Sequence, residues 1–158
     1  MVADGVIEDY AVAGAIGAMF YVEAFATADL DVFIITPEDR IITELPGCEY
    51  LKARGYTKIE KEGIVVEGWP VQFLPATTPL EHEAYLKAQV IEVEGVPVRV
   101  ARPEHLVAIM VKVGRQKDIA RIAMFLSQDA VELSALEDVI SRHGLSDKWL
   151  EYKRQLFK

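Results

Sequence analysis

One cysteine, Cys48, among 158 residues leaves no partner for an internal disulfide and no thiolate spacing for a structural zinc, so a reducing compartment, the cytoplasm, is expected. There is no basic surplus either: the formal net charge is -8, which argues against a protein that grips duplex DNA through many phosphates. Positive charge is missing from the opening MVADGVIEDY, where a secretory signal would carry it. The sequence lacks internal repeats, low-complexity tracts and Pro/Ser-rich linkers, so one domain is expected over residues 1–158. The one long apolar run, Tyr10 to Ala28, is rich in Ala and Gly rather than Leu and Ile, and acidic residues flank it. It therefore reads as strand, turn and buried helix instead of a membrane span.

What is present falls into two halves of different charge. Residues 1–98 hold 6 Lys+Arg against 17 Asp+Glu, and residues 99–158 hold 11 against 8. Such a division suits an anionic ligand held between an acidic, metal-binding half and a cationic half; two differently decorated surfaces explain it equally well. The pattern predicts an α+β chain, strands and helices together in 1–102 and a helical part in 103–158, with the boundary near Pro103.

After a short opening helix, Tyr10 to Ala13 is expected as a strand ending at Gly14, and Ala15 to Ala24 as a helix. Asp29 to Ile35 reads as a second strand, β-branched and aromatic, bounded by Pro37. Glu49 to Arg54 is expected as a helix capped by Gly55, and Ile64–Glu67 with Val71–Leu74 as a hairpin about Gly68-Trp69-Pro70, in which Pro70 must begin its strand or lie at an edge. Leu80 to Ala88 is expected as a helix, with a strand pair over 90–100 interrupted by Gly95 and Pro97. One helix should run from Glu104 past Gly114 to about Leu126, followed by helices over 132–143 and 147–157.

Three groups of residues could carry chemistry. Asp29 and Asp31, at i and i+2 in a strand, point to one face, and two adjacent carboxylates tolerate each other when a divalent cation such as Mg²⁺ lies between them. A solvated turn is the competing explanation. Gly14, between a strand and a helix, would leave backbone N–H groups free for phosphate; Gly14 and Gly17 could equally just allow close helix packing. Neither G-x-G-x-x-G nor a Lys-Ser/Thr phosphate loop is present. Lys112, Arg115, Lys117 and Arg121 surround Asp118 in a helix, either to reach a polyphosphate or as ordinary salt pairs on a solvated face. His82, His105 and His143 lack metal spacing and read as surface or capping groups, and Trp69 with Phe20-Tyr21 reads as core.

Tyr10-Ala-Val-Ala-Gly14-Ala15, then Thr27-Ala-Asp29-Leu-Asp31, then Pro103-Glu-His-Leu with Gly114-Arg115-Gln-Lys117-Asp118, resemble the minimal nucleotidyltransferases of the DNA polymerase β-like superfamily. The abortive-infection toxin type and its uncharacterised relatives resemble it most. The resemblance spans roughly residues 10–35 and 97–126. It implies a mixed β-sheet flanked by helices, carrying Asp29 and Asp31 as Mg²⁺ ligands, and Gly14, Ala15, Thr27, Lys112, Arg115 and Lys117 as nucleotide-binding residues. Asp118 and Arg121 would pair to hold the helix. The implied reaction is transfer of a nucleoside monophosphate from an NTP to a hydroxyl acceptor on a small molecule, a protein or a tRNA end. A third carboxylate normally completes such a site, and Gln72 stands at that position unless Glu67 serves instead. Ala15 replaces the second glycine and Phe25 an arginine. These departures give the alternative: a catalytically impaired nucleotide-binding, regulatory or toxin–antitoxin protein of the same fold, with a protein partner encoded nearby.

Overall fold

The computed structural model describes residues 1–23, 27–35 and 46–156. Seven strands form one mixed sheet, β1 (Asp9–Val12), β2 (Leu30–Ile35), β3 (Ile59–Glu60), β4 (Gly63–Val66), β5 (Trp69–Pro75), β6 (Gln89–Val93) and β7 (Val96–Val100). Their order is β3-β4-β5-β2-β1-β7-β6. The β2–β5 and β1–β7 pairs are parallel and the rest antiparallel. The helices are α1 (Gly14–Ala18), α2 (Pro46–Lys52), α3 (Pro79–Leu86), α4 (Pro103–Val113), α5 (Gln116–Ser127), α6 (Leu133–Arg142) and α7 (Ser146–Leu156). The expected α+β class, mixed sheet and C-terminal helical part are present.

Alternation along β2 divides the interior in two. Val32 and Ile34 pack with Ile7, Leu51, Ile64 and Phe73 on the side of α2. Phe33 points the other way, into the larger cluster built by Leu106, Val107, Val111, Ile122, Phe125 and Leu136 from the C-terminal helices. Asp31 shares the parity of Phe33, so the strand's own period places its carboxylate on the helical face. Gln72 lies opposite Asp31 in the parallel β2–β5 register, and its strand neighbour Leu74 also packs on the helical cluster.

Several expectations need correction. Residues 1–8 form turns, with no opening helix. α1 stops at Ala18, and the chain turns over 19–22 instead of remaining helical, while residues 24–26 are outside the described set. The expected long helix is two: Gly114 adopts φ +76, a left-handed conformation natural to glycine, and ends α4 as its C-cap before α5 starts at Gln116. Trp69 is 50% exposed and no core residue: it pairs with Val66 beside the β4–β5 turn, at the very start of β5. Pro70 pairs only with β4, since β2 contacts begin at Val71, so its missing N–H breaks no central ladder. His105 is buried in α4 and is no surface group. His82 is exposed, and His143 caps α6, as the sequence suggests.

Candidate active site

Gly14 turns the chain from β1 into α1 with φ +57, and Ala13 N–H donates to Asp31 O at 2.9 Å. This backbone bond seats the turn on β2. A Cβ at position 14 would overlap the Asp31 carboxylate, coming within 2.7 Å of its Cγ and 2.9 Å of its Cβ. The glycine is therefore required twice, by conformation and by the carboxylate packed against it. α1 has only five residues, and Ala15 at its start is buried.

Asp29 immediately precedes β2, and its Oδ1 accepts from the Thr27 hydroxyl at 3.2 Å. Asp31 lies two residues on. Burial raises the Asp31 carboxyl above its ordinary value and the negative charge of Asp29 raises it further, while Arg115, Lys117 and Arg121 oppose both. The structure thus brings Gly14, Thr27, Asp29, Asp31 and the cationic start of α5 into one locality.

The α5 cations are held by Asp118, which is completely buried. Its Oδ2 accepts from Arg115 N–H at 3.2 Å and Arg115 Nε at 3.0 Å, and its Oδ1 faces Arg121 Nη1 at 3.6 Å. Asp118 at the third position of α5 favours the helix N-terminus and anchors both arginines. Both expected pairings are present. Lys112 is elsewhere: on the far side of Gly114, it donates to Thr78 Oγ1 at 2.8 Å and pairs with Glu81 at 3.6 Å, clasping α4 to the capped start of α3. The break at Gly114 separates it from Arg115.

Gln72 Nε2 donates to Glu62 Oε2 at 2.6 Å, and both line a cavity of about 470 Å³ with Asp29, Glu60, Lys61, Gly63 and Pro70. Glu67 is bound elsewhere, accepting from Tyr56 Oη at 2.7 Å in the β4–β5 turn. Sequence reasoning missed Glu62 and Glu60, whose place beside Asp29 depends on how the β3–β4 hairpin folds over β5. Phe25, the expected replacement for an arginine, falls outside the described residues. Among those residues no group of three or more His, Cys, Asp or Glu is placed to hold a metal ion.

No family model matches the sequence, and no curated protein matches it. Solved structures do. An antigenic nucleotidyltransferase-like protein from Paracoccidioides brasiliensis superposes with TM-score 0.57 at 16% identity, over 93% of this chain and 86% of that one. The fold is nucleotidyltransferase-like. The antibiotic-resistance factor ANT(2'')-Ia superposes with TM-score 0.53 at 14% identity, over 98% of this chain and 91% of that one. Both similarities run along nearly the whole nucleotidyltransferase-like chain, including the middle region where its sequence motifs are weakest. Among the described residues no helix is long and apolar enough to cross a membrane.

Proposed function

We propose that the protein is a Mg²⁺-dependent nucleotidyltransferase, moving a nucleoside monophosphate from an NTP to a hydroxyl acceptor. The observation that carries this reading is the carboxylate of Asp31, half-buried against Gly14, beside Asp29 and within the field of three cations on α5. Two like charges facing each other at a partly desolvated site fit a hard divalent cation with oxygen ligands. Asp29 and Asp31 would hold it, leaving positions for phosphate oxygens. The bound ion would supply positive charge to the phosphate oxygens and to the carboxylate pair.

The remaining work belongs to the chain. Gly14 leaves the Asp31 carboxylate room to reach a ligand, and the Thr27 hydroxyl orients Asp29. Arg115, Lys117 and Arg121 present positive charge to the polyphosphate, and buried Asp118 keeps Arg115 and Arg121 from swinging away. The cavity beside Asp29 receives the acceptor. Its hydroxyl oxygen bonds to the α-phosphorus, the α–β bridging oxygen leaves with pyrophosphate, and the hydroxyl proton passes to solvent water. Neutral Gln72 cannot take that proton.

This last point favours a second reading, a nucleotide-binding regulator of the same fold that has lost turnover, since Gln72 occupies the register position opposite Asp31. One pair of measurements divides the readings. A ligand at about 100 times its dissociation constant adds about 2.7 kcal/mol to stability. A thermal shift with NTP and Mg²⁺, together with label transfer from an α-labelled NTP that Asp31→Asn abolishes, supports the enzyme. The shift without transfer selects the regulator, and the absence of both defeats the two together.

A further inference from the structure

The strand at the far end of the sheet from the carboxylates has an open side. β6 is an edge strand, and among the described residues nothing pairs with its outer side. Natural edges are usually blunted by Lys, Pro, a bulge or shortness. The other edge, β3, has two residues with Lys58 and Lys61 on either side. β6 has five, Gln89-Val-Ile-Glu-Val93, with no Lys, Pro or bulge and Glu92 as its single charge, and Val90 is 63% exposed. Val93, Val96 and Leu86 are exposed around it, an apolar concentration on one hairpin and the helix end before it.

The register says which backbone groups face outward. Val93 and Val96 close a two-residue turn, Glu94-Gly95, with both φ values positive, so they exchange hydrogen bonds. Antiparallel pairs alternate, which makes Ile91–Val98 and Gln89–Val100 bonded pairs and leaves Glu92–Pro97 and Val90–Arg99 unbonded. Pro97, which has no N–H, lies where none is needed. The N–H and C=O of Val90 and Glu92 therefore point away from β7, spaced to bond the same two residues of an identical strand.

We propose that the protein forms a homodimer in which two β6 strands pair antiparallel about a twofold axis through Ile91, joining two seven-stranded sheets. Val90 of each copy lies opposite Glu92 of the other and closes the outward hydrogen bonds, so no carboxylate meets a carboxylate. Ile91 meets its own copy on the face that carries Val93, Val96 and Val98, making one apolar stripe across the axis. At each end Glu94 comes beside Ala88 and Lys87 of the other copy, an opposite-charge approach made twice.

Sedimentation equilibrium of the full chain across micromolar concentrations tests this. The expected result is a monomer–dimer equilibrium that Glu92→Pro weakens about tenfold or more. That variant removes an outward N–H and no bond to β7, so its far-UV spectrum stays that of the parent, and the two melting temperatures agree at concentrations low enough for both to be monomeric. Ile91→Cys in a Cys48→Ala background should cross-link on mild oxidation, because an unbonded antiparallel pair places its Cα atoms about 4.5 Å apart, within disulfide reach. A monomer at every concentration overturns the proposal. So does a dimer unaffected by Glu92→Pro, or one in which position 91 fails to cross-link.

Discussion

The α-carbon of Gly14 packs directly on the carboxylate of Asp31, with no room for a methyl group between them. Two segments seventeen residues apart are thereby locked: the turn after β1 fixes the acidic strand, and the acidic strand forbids any side chain in the turn. Gly14→Ala should cost about 2–4 kcal/mol, combining a left-handed backbone penalty with overpacking. Differential scanning calorimetry would show the loss, and NTP with Mg²⁺ should no longer raise the melting temperature. A variant as stable as the parent would contradict the packing.

Asp31→Asn should separate stability from function. Ionised Asp31 is disfavoured by burial and by Asp29, so its folded-state pKa is raised. A raised carboxyl costs stability at neutral pH, and the cost is relieved as pH falls towards that pKa. The ligand-free melting temperature of Asp31→Asn should therefore equal or exceed that of the parent at pH 7.5. Label transfer should fall by at least about 10²-fold.

Asp118→Ala should be the most destabilising of these changes, about 3–5 kcal/mol, because it removes a fully buried carboxylate that pairs with Arg121 and accepts from the Arg115 backbone and side chain at the start of α5. Chemical denaturation would measure it. Arg115→Ala should cost far less, since that side chain is half exposed, yet should weaken NTP binding.

Glu83 of α3 predicts a pH dependence unrelated to the carboxylate site. It accepts from Arg142 Nη1 at 2.6 Å, His143 Nε2 at 2.7 Å and His105 Nε2 at 3.2 Å, tying α3 to α4 and α6. The Arg142 bond, with those of the two histidines, holds Glu83 well below the usual carboxylate range, whereas burial holds His105 below its ordinary 6.5. A depressed histidine is stabilising when neutral, so its contribution is full above pH 6.5 and declines as pH falls further. Glu83 contributes fully above about 4.5 and loses that contribution below. The melting temperature should therefore drop between pH 7.5 and 5, and His105→Leu should flatten that slope. An unchanged slope would refute His105 as the source.

Much of the site was legible in particular residues. The place of Asp31 on the helical face followed from the period of β2, with Asp29 just ahead of the strand and close enough for its charge to act on Asp31, and Arg115-Gln-Lys117-Asp118 announced its own pairing through short helical spacing. Gly114 was legible only as a residue type: the apolar pattern continued across it, and the left-handed cap that ends α4 depends on α5 packing against the same core. That break sent Lys112 to Thr78, 34 residues away in sequence.

By itself the sequence determined most of the strands and the existence of the C-terminal helices, the alternation that turns Asp31 and Phe33 one way and Val32 and Ile34 the other, and the absence of a carboxylate at residue 72. These follow from local backbone periods and side-chain chemistry. Tertiary structure alone decided that Gly14 touches Asp31, that Glu62 reaches Gln72, that the charges of Arg115, Lys117 and Arg121 act on Asp31 and that β6 ends the sheet. Each of those depends on strand order and helix packing, which join residues distant along the chain through burial shared by the whole fold.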